Sequence, residues 1–331
     1  MISKSQLKDL CLYKQQKQCD ADNVFVVEGV KMCCEALASG QPVVAVAALP
    51  EWLQEHSGQW ARIPTLHQDH IYELAPSDLD RLSGQKSPNQ VWMLLKRPLW
   101  DDAVVEGREV SDDNLLLLLD HLQDPGNLGT VIRTADWFGI RHIYCSNDTV
   151  SCYNPKVVQA TMGGIFRTKM SYEPLVPLMQ RLRSEGHEIY GAMLDGVNVY
   201  HLSTQAQKES CPADDVSRRG NSIHRGEVPH ASAADKAYPA SGTGSAPSLT
   251  PQNENRHLCQ TGHNTFSIRH NMCKVLVIGN ESRGITDDVA AMVTKRVKIP
   301  NLGGTCESLN AGIAAAVLIS ELLRDKSAQQ Q

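Results

Sequence analysis

The sequence predicts an α/β protein in two units, the larger built around a mostly parallel sheet. Three observations lead there. Five consecutive leucines, Leu115 to Leu119, suit a strand buried on both faces, as parallel sheets require. Strand-like and helix-like segments alternate after that run. The chain has 331 residues, which at about 100–200 residues per domain favours two domains.

Composition narrows the class. Hydrophobic residues make up 41% and there are 23 glycines, which excludes a wholly disordered chain, a collagen and a disulfide miniprotein. The apolar stretch Ala311 to Leu323 is interrupted by Ser320 and Glu321 and falls short of the roughly 20 residues that span a bilayer. The N-terminus has no apolar signal core, so no secretion signal and no membrane partner are expected. With 32 basic and 37 acidic residues the net charge is −5. Nonspecific coating of nucleic acid is excluded, and any such binding needs a local patch. Ten cysteines without a C-x-x-C pair read as free thiols of a reducing cytoplasm.

Taken in order, the first hundred residues form the smaller α/β unit. Lys4 to Gln18 is a polar helix carrying Lys4, Lys8, Lys14 and Lys17. Val24 to Val27 is a buried strand, a helix follows Glu28-Gly29 as far as Ala38, and Pro42 to Ala48 and Val91 to Leu95 are further strands. Residues 101–111 are acidic and poor in core residues, which marks a linker. The second unit covers 112–202 and 272–325. Its elements are the leucine strand, a helix over Leu128 to Phe138 with apolar residues at helical spacing, and strands His142–Cys145, Glu188–Leu194, Lys274–Ile278 and Arg296–Ile299. A helix from Leu309 to Leu323 closes it, and its small residues (Ala311, Gly312, Ala314, Ala315, Ala316) suit close packing, internal or between subunits. Residues 203–271 are rich in Ser, Thr, Pro, Asn, Gly and His and read as a disordered insertion. The insertion holds His257, Cys259 and His263, whose spacing matches no standard zinc pattern, so no metal site is expected. Residues 326–331 form a frayed tail.

Three glycine-bearing loops follow predicted strands, where open α/β sheets place ligands. In the first, Asp120 to Gly129, Asp-Pro-Gly-Asn is turn chemistry and Asn127 is a candidate N-cap. That places Arg133 in the second turn, either solvated or facing an anion or a reacting hydroxyl. In the second, Gly279 to Gly284, there is neither a dinucleotide fingerprint nor a P-loop lysine. Glu281 would repel phosphate and favours a neutral or cationic ligand. In the third, Ile299 to Asn310, Ser308 is a candidate cap and Asn310 sits in the first helical turn.

In this order the loops resemble the three signature motifs of the SpoU/TrmH family of RNA ribose 2′-O-methyltransferases, in the SPOUT superfamily. The matching segments are Asp124 to Ala135, Val275 to Ile285, and Ile299-Pro300 with Glu307 to Ala314. Asn154 to Phe166 is similar to the segment this family carries between its first two motifs. The N-terminal unit is similar to the family's substrate-binding domain through its lysine-bearing helix, Phe25 to Gly29, and Ser87 to Val91. Two features depart from the family: a third loop about one residue longer, and the insertion at 203–271.

The resemblance implies a trefoil-knotted domain that binds S-adenosyl-L-methionine and methylates a ribose 2′-hydroxyl. Cofactor contacts carry over to Gly279, Asn280, Gly284, Ile299 and Leu309, with Leu194 and Asp195 on the adenosine side. Asn127, Arg133, Ser308 and Asn310 would position ribose and phosphate, and Glu281 would orient Arg133 and favour the cationic cofactor. The family's arginine is often proposed as a general base. A guanidinium holds its proton strongly and could instead stabilise the alkoxide. Lys4, Lys8, Lys14 and Lys17 are the candidate RNA contacts. A cytoplasmic homodimer is implied, with ribosomal RNA favoured over transfer RNA because a separate N-terminal unit is present. The alternatives are a transfer-RNA enzyme of the same class and a non-catalytic RNA-binding or ribosome-assembly factor of the same fold. Against the second stand the intact Asn127, Arg133, Glu281, Ser308 and Asn310.

Overall fold

The computed structural model describes residues 1–60, 63–100, 115–202 and 273–324. The expected linker (101–111), the insertion (203–271) with its His257, Cys259 and His263, and the tail (326–331) lie outside the described residues.

Ser3 starts the first helix, α1 (Lys4–Cys11). Its Oγ accepts from the Gln6 amide at 3.2 Å while Gln6 Oε1 accepts from the Ser3 amide at 3.0 Å, a reciprocal cap that satisfies two orphan donors. The single helix expected as far as Gln18 is instead broken. After the 3₁₀ turn Leu12–Lys14, Gln15 is extended (φ −93°, ψ 122°), and α2 (Gln16–Ala21) starts afresh. The break lets Cys19 enter the same apolar layer as Leu7 and Leu10.

The chain then forms β1 (Val24–Glu28), α3 (Val30–Ser39), β2 (Val43–Ala48), α4 (Pro50–Glu55), α5 (Ser57–Trp60), β3 (Ile71–Glu73), α6 (Pro76–Leu82) and β4 (Val91–Lys96). The sheet order is β1-β4-β2-β3, with β4 antiparallel to both neighbours and β2 parallel to β3. Alternation along the strands separates two faces. Val24, Val26, Trp92 and Leu94 meet α1, α2 and α6, whereas Phe25, Val27, Met93 and Leu95 join a larger core shared with the second unit. Across that junction the Phe25 and Tyr153 rings lie 5.0 Å apart and the Arg97 guanidinium sits 4.7 Å from the Tyr153 ring.

The second unit contains β5 (Leu115–Leu119), α7 (Pro125–Trp137), β6 (His142–Cys145), α8 (Pro155–Ala160), β7 (Lys169–Tyr172), α9 (Leu175–Ser184), β8 (Glu188–Asn198), β9 (Lys274–Ile278), α10 (Asp287–Ala290), β10 (Lys295–Lys298) and α11 (Ala311–Leu322). The six strands run in the order β10-β8-β9-β5-β6-β7, and every neighbouring pair is parallel. The leucine strand β5 is internal. Leu116 and Leu118 pack with Leu178, Met179 and Leu182 of α9, while Leu115, Leu117 and Leu119 pack with residues of α7 and α11. Each such leucine contributes about 1.5–3 kcal/mol of gross burial. This two-sided burial explains a strand with no polar alternation.

Several boundaries differ from the sequence reading. The strand expected to end at Leu194 continues to Asn198, because β10 rejoins it after a register shift between Arg296 and Val297. The helix expected from Leu128 starts at Pro125, and the closing helix starts at Ala311, two residues later than expected. Among the described residues no helix is long and apolar enough to cross a membrane.

Candidate active site at the strand-end loops

Strands β5 and β9 end side by side, with Leu119 opposite Ile278. Their following loops therefore emerge together at the carboxyl edge of the sheet, and the Asp120 amide donates to the Ile278 carbonyl at 2.8 Å. Asp120 is buried, and its Oδ2 accepts from both the amide (2.7 Å) and the hydroxyl (2.8 Å) of Thr286. This carboxylate fastens the end of the second loop to the first. Sequence reasoning gave Asp120 no role. The available signal was a lone carboxylate directly after five leucines, at the end of a strand that otherwise excludes charge.

The first loop enters α7 through Asp124, not Asn127. Asp124 has an extended backbone (φ −74°, ψ 121°), and its side chain accepts from the Asn127 amide at 2.8 Å. Asn127 is thus the third helical residue, and Arg133 falls in the third turn rather than the second. With Asp124 capping the helix, the Asn127 side chain is free for other partners. Its Nδ2 donates to Glu281 Oε1 at 2.6 Å, and its Oδ1 accepts from Asn310 Nδ2 at 2.6 Å. One buried amide therefore links all three loops. Breaking either bond leaves a buried polar group unpaired, at a cost of about 1–3 kcal/mol.

The second loop is a tight turn. The amides and carbonyls of Asn280 and Gly284 exchange two bonds of 2.9 Å. Asn280 Oδ1 accepts from the Ser282 and Arg283 amides, and its Nδ2 donates to the His121 carbonyl at 2.9 Å. Gly279 has a steric reason: a Cβ there would lie 2.2 Å from the Gly284 carbonyl carbon. Glu281 meets Asn127 rather than Arg133. Arg133 is exposed on α7 and makes no hydrogen bond or ion pair among the described residues.

In the third loop Asn301 takes the organising role. Its Oδ1 accepts from the Gly303 and Gly304 amides, and its Nδ2 donates to the Gly304 and Cys306 carbonyls. Asn310, not Ser308, caps α11, accepting from the Ile313 amide at 3.2 Å. Ser308 is exposed two residues before the cap, Leu309 is half-exposed, and Ile299 packs against the main core.

The remaining candidates lie apart from this chain of amides. Leu194 and Asp195 occupy the stretch of β8 between its two pairings with β10, and Asp195 Oδ2 accepts from Arg296 at 2.5 Å. A Cβ on the adjacent Gly196 would meet the Val297 backbone at 2.5 Å, so that segment lies directly against the strand leading into the third loop. Lys4, Lys8, Lys14 and Lys17 are all exposed on the N-terminal unit, with Lys14 Nζ donating to the Arg81 carbonyl at 2.7 Å. Cavities of about 350 and 250 Å³ lie at the N-terminal unit, the first against Leu37 and Ile63 and the second between Glu28 and Pro155. Neither borders the three loops. Among the described residues no group of three or more His, Cys, Asp or Glu side chains could hold a metal ion.

Comparison with known proteins follows this geometry. The family model described as "SpoU rRNA Methylase family" matches residues 114–212 and 248–320, more than half of the chain. The chain belongs to the SpoU rRNA methylase family. A model of the MRM3-like substrate binding domain matches residues 4–92. Among curated relatives, the 23S rRNA (guanosine(2553)-2′-O)-methyltransferase RlmP of Bacillus subtilis is 27% identical over 203 residues, covering 61% of this chain and 75% of that protein. A mitochondrial rRNA methyltransferase 3A of Danio rerio is 25% identical over 315 residues, covering 91% of this chain but 64% of its own greater length. A solved TrmH-family putative RNA methyltransferase from Porphyromonas gingivalis superposes with a TM-score of 0.64 at 29% identity, covering 98% of this chain and 99% of that one. At 19% identity, the SpoU methyltransferase AviRb from Streptomyces viridochromogenes, solved with the cofactor AdoMet, shares the fold with a TM-score of 0.64, over 98% and 99% of the two chains. Within the SpoU family the chain pairs a family catalytic domain with a substrate-binding domain.

Proposed function

We propose that this protein transfers the methyl group of S-adenosylmethionine to a ribose 2′-hydroxyl of ribosomal RNA. The observation that carries the reading is the bridge from Glu281 through Asn127 to Asn310, which gathers three distant loops at the ligand edge of a parallel sheet. Family membership and the 23S rRNA activity of the Bacillus relative supply the reaction class and the RNA class. The donor set suits a cationic nucleoside. Glu281 brings a carboxylate where a phosphate site would bring a lysine, and the bare backbone at Gly279 lets the second loop fold back tightly on Gly284 beside it.

When bound, S-adenosylmethionine supplies an electrophilic methyl group on a sulfonium. The protein supplies the rest. Gly279, Asn280, Gly284, Ile299 and Leu309 hold the cofactor, with Leu194 and Asp195 toward its adenosine. Asn127, Ser308 and Asn310 orient the ribose, and such alignment lowers the barrier by several kcal/mol. Arg133 brings a cationic guanidinium to the hydroxyl. Its positive charge stabilises the developing alkoxide while the hydroxyl proton passes to solvent water. Lys4, Lys8, Lys14 and Lys17 contact RNA phosphates. The reading includes a trefoil-knotted catalytic domain, a homodimer and a cytoplasmic location. It also includes a domain division at 1–100, 101–111, and 112–202 with 272–325.

The test is tritiated methyl transfer by the purified protein to deproteinised ribosomal RNA and, separately, to bulk transfer RNA. Label entering ribosomal RNA supports the reading. Label entering only transfer RNA moves the enzyme to the other substrate class, and label in neither makes the protein a non-catalytic member of the fold.

A further inference from the structure

Between α8 and β7 the chain passes through Gly163 to Arg167, a segment pressed between the two units. Gly163 has φ +95°, and a Cβ on it would come within 2.6 Å of Glu35 Oε2 on α3 of the N-terminal unit. A Cβ on Gly164 would meet the Ile132 carbonyl at 3.3 Å and Asp136 Cβ at 3.4 Å, both on α7. Arg167 follows and holds both sides at once. Its Nε donates to the two Asp136 oxygens at 3.0 and 3.0 Å, its Nη2 to Asp136 Oδ2 at 2.9 Å, and its Nη1 to Glu35 Oε2 at 3.0 Å. The bonds to Asp136 and then Glu35 raise the guanidinium's already high pKa, outweighing partial burial.

Asp136 stands three residues after Arg133 on α7, the spacing at which helical side chains of opposite charge pair. Asp136 is engaged instead by Arg167, with Arg141 Nη1 a further 4.0 Å from its Oδ1. The exposed Arg133 makes no ion pair among the described residues. Resting on the methyltransferase reading, we propose that Arg167 is a positioning residue with two separable tasks. Through Glu35 it fixes the substrate-binding unit against the catalytic helix, and by occupying Asp136 it leaves Arg133 unpaired for RNA.

The two tasks predict different kinetics. Glu35→Gln removes only the docking half. It is expected to raise KM for RNA roughly two- to fivefold, in keeping with one partly exposed ion pair, and to leave kcat unchanged. Arg167→Ala also releases Asp136 to pair with Arg133, so kcat is expected to fall by roughly tenfold or more. Asp136→Asn in the Arg167→Ala background removes the competing carboxylate. It is expected to restore kcat while KM stays raised, a rescue that a merely structural arginine would not give. Cofactor titration calorimetry on each variant reports an intact catalytic domain. Should Arg167→Ala fail to fold, Glu35→Gln still tests the docking half and Arg167→Lys the pairing half, with kcat between those of wild type and Ala. An unchanged KM in Glu35→Gln overturns the first task. An unchanged kcat in Arg167→Ala, or no rescue by Asp136→Asn, overturns the second. Failure of the wild-type protein to methylate any RNA would instead overturn the functional reading beneath both.

Discussion

At the scale of single residues, Arg133 and Asn310 differ in what the fold asks of them. Arg133 bonds to nothing among the described residues, so removing it takes no support from the fold. Arg133→Ala is expected to lower turnover at least about a hundredfold, the cost of losing one donor to a developing oxyanion. Cofactor affinity by titration calorimetry should stay within about twofold. Near-normal turnover would remove Arg133 from the mechanism. Asn310 does two jobs, capping α11 and donating to Asn127. Asn310→Ala should therefore cost about 0.5–2 kcal/mol for the cap alone, and more once Asn127 is unpaired, read as a lowered denaturation midpoint. Ser308→Ala, two residues earlier and outside the cap, should leave that midpoint nearly unchanged. Asp, Asn and Ser are all good cap residue types, so Asp124 competes with Asn127 and Ser308 with Asn310. Local pattern cannot rank them, because the choice is made by partners far away: Asn127 is withheld from capping by Glu281, 154 positions on.

At the scale of elements, the loops were legible because their chemistry is local. Asp-Pro-Gly-Asn and the Gly279 to Gly284 spacing mark turns wherever they occur. Elements that depend on tertiary context were not legible. β3 has only three residues and β7 only four, half-buried at the sheet edge, too short for alternation to stand out from the surrounding sequence. The break at Gln15 has no glycine or proline to announce it; it is set by the packing of α2 under the first sheet. Gly279 offers the sharpest test at this scale. The second loop folds back so tightly that Gly279→Ala places a methyl group against the Gly284 backbone, and backbone cannot give way as a flexible side chain can. A fall in melting temperature of several degrees is expected, together with loss of the stabilisation that S-adenosylmethionine gives the wild type. A normal cofactor-induced shift in the variant would contradict the placement of that loop in the cofactor site.

At the scale of the molecule, the two sheets share one apolar core, with Phe25, Met93 and Leu95 of the first and Leu117, Ile143 and Cys145 of the second in a single cluster. The parallel character of the larger sheet was legible in the all-leucine strand. The junction was not, since nothing in the sequence marks Phe25 and Tyr153 as partners across units. Light scattering at micromolar concentration should give twice the monomer mass, and a monomer would refute the dimer. The central claim is chemical: three loops joined through Asn127 deliver a methyl group to a sugar oxygen. Its most direct test is nucleoside mass spectrometry of ribosomal RNA after incubation with the protein and S-adenosylmethionine labelled in its methyl group. The account expects the label on a 2′-O-methylated nucleoside, present with the wild type and nearly absent with Arg133→Ala. Label on a base, or equal label from both proteins, would contradict it.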